Sequence, residues 1–173
     1  MNNIDSNKVI LVDENDLKIG LMDKLEAHEK GLLHRAFSVF VFNSQNELLL
    51  QRRAFGKYHS EGLWTNTCCS HPIDGETLIE AGHRRLQEEM GFDCDLTEKF
   101  SFLYKAPFDN GLTEHELDFI FIGEFNGIPN INPQEVKDYA WIMIDDVLLD
   151  VKQFPNKYTE WFKIILNEYV SHL

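Results

Sequence analysis

Cysteine is scarce: the 173 residues hold three, Cys68, Cys69 and Cys94, and two of them are adjacent. An odd count with neighbours side by side does not build a disulfide framework, so a reducing, cytoplasmic setting is expected. Cations are also few, with 16 Lys and Arg against 29 Asp and Glu, a formal net charge of -13. Such a surface is a poor partner for nucleic acid or an anionic membrane, and neither is expected. It would equally repel a phosphorylated small molecule, unless local Lys, Arg and metal ions reverse the field where that molecule binds. No repeat, low-complexity tract or Pro/Gly-rich linker divides the chain, and one domain over residues 1–173 is expected. No apolar run approaches the roughly 20 residues that span a bilayer. The first residues lack a basic stretch followed by a long apolar one, so no signal peptide is expected.

What is present is a succession of strand patterns with a helix between them. KVILVDENDLKIGLMDK reads as two short strands around an Asp/Asn-rich turn, and EAHEKGLLH as a loop that delivers His28 and His34. RAFSVFVF and LLLQRR, joined by NSQNE, read as a hairpin. WTNTCCSHP is extended up to Pro72. DGETLIEAGHRRLQEEMGF reads as a helix with Asp74 as N-cap, Glu76 in the first turn and Gly91 at the C-terminal stop. Leu78, Ile79, Leu86 and Met90 supply its apolar spacing, and Gly82 marks a close backbone contact. KFSFLYKAPF and ELDFIFIGEF are two strands around a turn at Asp109, Asn110 and Gly111, and YAWIMI is another. DDVLLDVKQ and KYTEWFKIILNEYVSHL end the chain as helices. Strands, an intervening helix and terminal helices make an α/β sandwich.

The chemistry concentrates between Ser70 and Phe92. Glu76, Arg84, Leu86, Glu88, Glu89 and Gly91 have the spacing of the Nudix signature, G-x5-E-x7-R-E-U-x-E-E-x-G-U. Ser70 stands for its first Gly, Arg85 for the Glu that follows the Arg, and Phe92 for its last aliphatic residue. A guanidinium cannot ligate a metal, but it can grip a diphosphate with two parallel hydrogen bonds. The plainer account of Arg84 and Arg85 is surface pairing with Glu88 and Glu89. In the extended TNTCCSHP, Cys69 and His71 point one way and Cys68 the other. A thiol beside an imidazole and a metal is expected to have a lowered pKa. In TEHELDFIFIG, Glu114, Glu116 and Asp118 share one face and His115, Leu117, Phe119 and Phe121 the other. That strand is either a solvated edge or a pair of carboxylates aimed at one cation.

From about Lys24 to Trp161 the chain resembles type I isopentenyl-diphosphate isomerases. The resemblance rests on GLLHRAFSVFVFN, LLLQRRA, WTNTCCSHP, the altered Nudix helix and Glu114-His115-Glu116. It implies an α/β fold, a Nudix-like α/β/α sandwich of a mixed sheet with flanking helices. It implies that His28, His34, His71, Glu114 and Glu116 hold a divalent metal, Mn²⁺ or Zn²⁺. Glu89, with the backbone of Cys69, would place Mg²⁺ on the diphosphate. Lys24, Arg53, Lys57 and Arg85 would bind the diphosphate oxygens. Cys69 and Glu116 would be acid/base groups on opposite faces of the five-carbon unit, with Tyr104 assisting Glu116 and Trp161 facing the reacting carbons. The partner would be a small diphosphate, and the protein a monomer or weak homodimer. Two rival readings share some of these residues. A Nudix hydrolase would use Glu76, Arg84, Glu88 and Glu89, but has no need of Arg85 or of the Cys69/His71 pair. A zinc-stabilised module would need Cys68, Cys69, His71 and Cys94 around one ion.

Overall fold

A computed structural model describes residues 7–57, 59–108 and 110–173. Its strands are β1 Lys8–Val12, β2 Lys18–Asp23, β3 His34–Phe42, β4 Glu47–Arg53, β5 Trp64–Thr65, β6 Cys68–Ser70, β7 Leu96–Pro107, β8 Thr113–Glu124 and β9 Val136–Met143. Its helices are α1 Lys24–Lys30, α2 Leu78–Met90, α3 Ile144–Gln153 and α4 Glu160–Tyr169.

All nine strands join one mixed sheet. β3 runs through the middle, parallel to β8 from His34↔Glu116 to Phe42↔Glu124 and antiparallel to β6. β8 in turn pairs with β7 over its full length, so the strand carrying Glu114 and Glu116 is an interior strand and not a solvated edge. The hairpin expected of β3 and β4 is formed only at its turn. They share the single pair Phe42↔Leu48; beyond it that edge of β4 pairs with β5, while β9 runs along the other edge from Glu47 to Arg53. The turn expected between β7 and β8 closes through Gly111, whose N–H donates to Phe108 O at φ +84°; Asp109 lies outside the described residues.

Helices cover both faces, as an α/β/α sandwich requires. On one face Phe37, Val39, Val41, Cys68 and Phe121 pack under Ala81, Leu86 and Met90 of α2. On the other, Phe40, Leu48, Leu50, Phe102 and Ile120 pack under α3 and α4 through Val147, Val151, Phe162, Ile165 and Leu166. The alternation along β3 decides the division: residues 37, 39 and 41 face α2, and 40 and 42 face α4.

Several local readings need correction. EAHEKGLLH is not a loop throughout. His28 sits on α1, which starts at Asp23, whose carboxylate accepts from the N–H groups of Leu25 and Glu26, and stops at Gly31 with φ 60°. α2 is capped by Thr77 and not Asp74. Thr77 and Glu80 form a reciprocal capping box, while Asp74 accepts from Lys18 Nζ at 2.5 Å. Glu76 therefore precedes the helix. Ile79 is exposed, and Ala81 takes the buried position beside Leu86. Gly82 does meet close neighbours, but they are side chains: an added Cβ would lie 3.0 Å from Leu96 Cδ1.

Candidate active site

Three strands and two flanking segments converge at one end of the sheet. Register places His34 of β3, Glu116 of β8 and Tyr104 of β7 side by side, so their side chains rise from one face. Glu114 stands two residues along on that face, opposite Ala106. β6 brings Cys69 opposite Ser38 and leads into His71. α1 lowers His28 onto the group. His28 and His34 are fully buried, and Glu114 and Glu116 nearly so.

The ligand atoms of His28, His34, His71 and Glu116 lie within 4.8 Å of one another, and those of His28, His59 and Glu114 form a second, overlapping group. The five residues expected as metal ligands are thus brought together, joined by His59. His28 Nδ1 donates to Lys24 O at 2.6 Å and His34 Nδ1 to Leu32 O at 2.8 Å. Those bonds commit each Nδ1–H to a carbonyl, so in the neutral rings the Nε2 lone pairs face carboxylates: His28 to Glu114 Oε2 at 3.7 Å, His34 to Glu116 Oε1 at 3.4 Å. Lone pairs facing carboxylates in a buried site are mutually repulsive unless a cation lies among them. The donor set of imidazole nitrogen and carboxylate oxygen fits a divalent ion.

Tyr104 donates to Glu116 Oε2 at 2.6 Å and reaches Glu114 Oε2 at 3.3 Å. Burial works to raise the Glu116 carboxyl, but His34, Glu114 and Tyr104 beside it outweigh burial and bring it down to about 2. Burial, reinforced by the two Glu, pushes the Tyr104 phenol up. Burial, with Lys24 and His34 adding to it, holds the His71 imidazole well below its ordinary value. The lowered pKa expected of Cys69 is not found: burial pushes its thiol up to about 12, against the pull of Arg53. Cys69 therefore keeps its proton at neutral pH.

A cavity opens over this cluster, lined by Lys24, Arg53, Cys69, His71, Glu116 and Trp161, with Glu114 and His59 among the remaining walls. Trp161 is 3 % exposed and belongs to the core around α4, yet it also forms the cavity wall. Its indole N–H donates to Asn66 Oδ1 at 3.2 Å, and the Arg53 guanidinium carbon lies 5.3 Å from its ring centre. A second hollow meets the first at Lys24, Ser70 and His71 and is lined by Lys57, Arg84 and Arg85. Here the four cations expected to grip a diphosphate divide between two adjoining spaces, with Lys24 in both. Arg85 is paired with Glu88 at 2.7 Å, Glu89 at 2.5 Å and Glu135 at 3.3 Å, and Lys57 also bonds Glu135. Glu89 lies apart from the histidine groups; it accepts from Gln51 Nε2 at 2.8 Å as well as from Arg85.

Cys68 is buried against α2, on the side of the sheet away from Cys69, and no cysteine joins a metal-binding group among the described residues. The zinc-module reading fails on that geometry. Sequence reasoning missed His59 and Glu135. Both sit in irregular segments with no periodicity, and no ligand spacing ties them to the other site residues.

A profile of the NUDIX domain matches residues 32–162. The chain is 52% identical over 157 residues to an isopentenyl-diphosphate Delta-isomerase of Pectobacterium atrosepticum, covering 91% of this chain and 88% of that one. It is 50% identical over 164 residues to isopentenyl-diphosphate Delta-isomerase 2 of Aromatoleum aromaticum, covering 95% and 87%. Among solved structures, a MutT Nudix hydrolase from Burkholderia pseudomallei superposes with a TM-score of 0.62 at 18% identity, covering 79% of this chain and 98% of that one. That likeness speaks for the fold alone.

Proposed function

The chain belongs to the Nudix family and, within it, to the isopentenyl-diphosphate Delta-isomerases, and from that premise we propose that it converts isopentenyl diphosphate to dimethylallyl diphosphate with Cys69 and Glu116 as its acid/base groups. The observation that carries the assignment is that both groups line one cavity roofed by an indole and flanked by cations. A 1,3-allylic shift adds a proton at the terminal alkene carbon and removes one two carbons away. The Cys69 thiol, held protonated, has a proton to give, and the Glu116 carboxylate, held ionised, can accept one. The pair would exchange those roles in the reverse direction. Tyr104 supplies Glu116 with a hydrogen bond that holds one oxygen in place and can relay a proton. Protonating the alkene creates a tertiary carbocation, and the face of Trp161 stabilises positive charge without acting as a strong base.

His28, His34, His71, Glu114 and Glu116 would hold a divalent metal, which when bound supplies the positive charge that keeps the two carboxylates together. Glu89 would hold Mg²⁺ for the diphosphate. Lys24, Arg53, Lys57 and Arg85 would bind the diphosphate oxygens, with Arg85 and Lys57 released from Glu135 as they turn to the ligand.

The test follows isopentenyl diphosphate by NMR in D₂O with Mg²⁺ present, for wild type and Cys69→Ala. The expected result is the dimethylallyl isomer carrying deuterium with wild type and no turnover with Cys69→Ala. Untouched substrate together with phosphate release from nucleoside diphosphates would return the chain to the hydrolases.

A further inference from the structure

We propose that His59 is a positioning residue that holds the Glu114 carboxylate by one oxygen so that the other faces the histidine cluster. His59 Nε2 lies 3.1 Å from Glu114 Oε1, while Oε2 points at Tyr104 and at His28. Glu116 is arranged in the same way with different partners. Its Oε2 is tied to Tyr104 at 2.6 Å, leaving Oε1 2.8 Å from His71 Nε2 and 3.4 Å from His34 Nε2. Each carboxylate thus has one oxygen tied and one directed inward, and His59 does for Glu114 what Tyr104 does for Glu116.

The His59 ring is fixed from several sides. Its Nε2 faces the Glu114 carboxylate, which can only accept, so Nε2–H is the donor and Nδ1 is left to accept from the Ser60 hydroxyl at 3.2 Å. Phe108 stacks on it with centroids 5.2 Å apart, and it meets Trp161 edge-on at 5.9 Å. Arg53 clips the loop by donating to Ser60 O at 3.2 Å. A ring so wedged loses little freedom in holding its carboxylate.

The competing role is that of a ligand, in a second metal centre with His28 and Glu114. Chemistry argues against it. His28 Nδ1 is committed to Lys24 O, so His28 offers one nitrogen, and a neutral imidazole nitrogen serves one ion. The two overlapping groups therefore describe one centre, and His59, which is not among the grouped atoms of His28, His34, His71 and Glu116 and whose Nε2 is at hydrogen-bond distance from Glu114 Oε1, is placed one step outside it. Partners of that kind change metal affinity by about 10–100-fold when removed.

This inference rests on the cluster being a metal site, and the experiment separates the two. Metal-stripped wild type, His59→Ala and His59→Gln are titrated with Mn²⁺, following free Mn²⁺ by EPR, and the melting temperature of each metal-free protein is recorded. Gln carries its amide nitrogen as many bonds from Cα as Nε2 of His, and it donates. The expected result is an affinity about 10-fold or more weaker for His59→Ala, recovered in large part by His59→Gln, with metal-free melting temperatures alike. Equal affinity in wild type and His59→Ala overturns the positioning role and leaves the metal site standing. Loss in both variants also overturns it, in favour of direct ligation or packing. No Mn²⁺ binding by wild type removes the metal site and the proposal together. If His59→Ala does not fold, His59→Asn, whose amide falls short of Oε1, takes its place.

Discussion

Glu76 shows how a motif position can serve the scaffold of a site. Both its oxygens are engaged by Arg84, at 2.7 and 2.9 Å, and Oε2 also accepts the N–H of Ile73. Burial acts to raise its carboxyl, but Arg84 and Ile73 outweigh burial, and its pKa is lowered. A lowered folded-state pKa means stability that is present above the unfolded value and lost as pH falls through the folded one. Glu76→Gln should lower unfolding stability by about 1–3 kcal/mol at neutral pH. The deficit should shrink below about pH 4, which urea melts at both pH values would read. Tyr104→Phe keeps the ring in the core and removes the hydroxyl that holds Glu116. It should reduce kcat by about 10- to 100-fold with a smaller change in KM. At this scale residue types are legible in the sequence, because His, Cys and paired Glu announce a chemistry. Their protonation is not: burial, with Glu89 and Glu116 adding to it, raises the Cys69 thiol against the pull of Arg53, and none of these neighbours is adjacent to it in the sequence.

Among elements, those with long periodic patterns are legible and those governed by caps are easily misjudged. α1 has its signals in the chain, with Asp23 at the N-cap, Glu26 three residues on and Gly31 at the stop. It is seven residues long, too short for an apolar period to show, and so it reads as a loop. The α2 start is misplaced from sequence because Asp74 and Thr77 are both good caps, and the choice falls to Thr77 because Glu80 completes the capping box. The other end of α2 gives a prediction. Gly91 has φ 71°, and a Cβ there would lie 2.1 Å from the carbonyl oxygen of Asn130. That oxygen cannot easily yield, since Asn130 N–H donates to Met90 O. Gly91→Ala should cost about 2–4 kcal/mol, from the left-handed backbone and the clash together. Gly82→Ala presses on the flexible end of Leu96, touches Val39 at an ordinary 3.9 Å and gains helix propensity, so it should stay within about 1 kcal/mol of wild type. Denaturant midpoints for the two variants check the contrast.

For the whole molecule, a metal held by the His/Glu cluster would double as a fastening. It would join α1, the start of β3, the segment after β6 and the start of β8. A ligand at about 100 times its Kd adds about 2.7 kcal/mol to stability. Stripping the metal should then lower the melting temperature by about 5–10 °C, and adding back Mn²⁺ should restore it. A melting temperature indifferent to chelator would show that the four segments are held by packing alone. The sequence by itself determined the α/β class, the strands that supply the core, the helix bearing Glu88 and Glu89 and the face on which Glu114 and Glu116 stand. Each of these follows from periods of two or 3.6 residues that neighbouring positions carry. Tertiary structure alone decided that β8 lies beside β3 in parallel, that His34 and Glu116 fall in register, and that His59 closes on Glu114. Those are distances between segments remote in sequence, set by how the two cores on either side of the sheet pack and not by any local pattern.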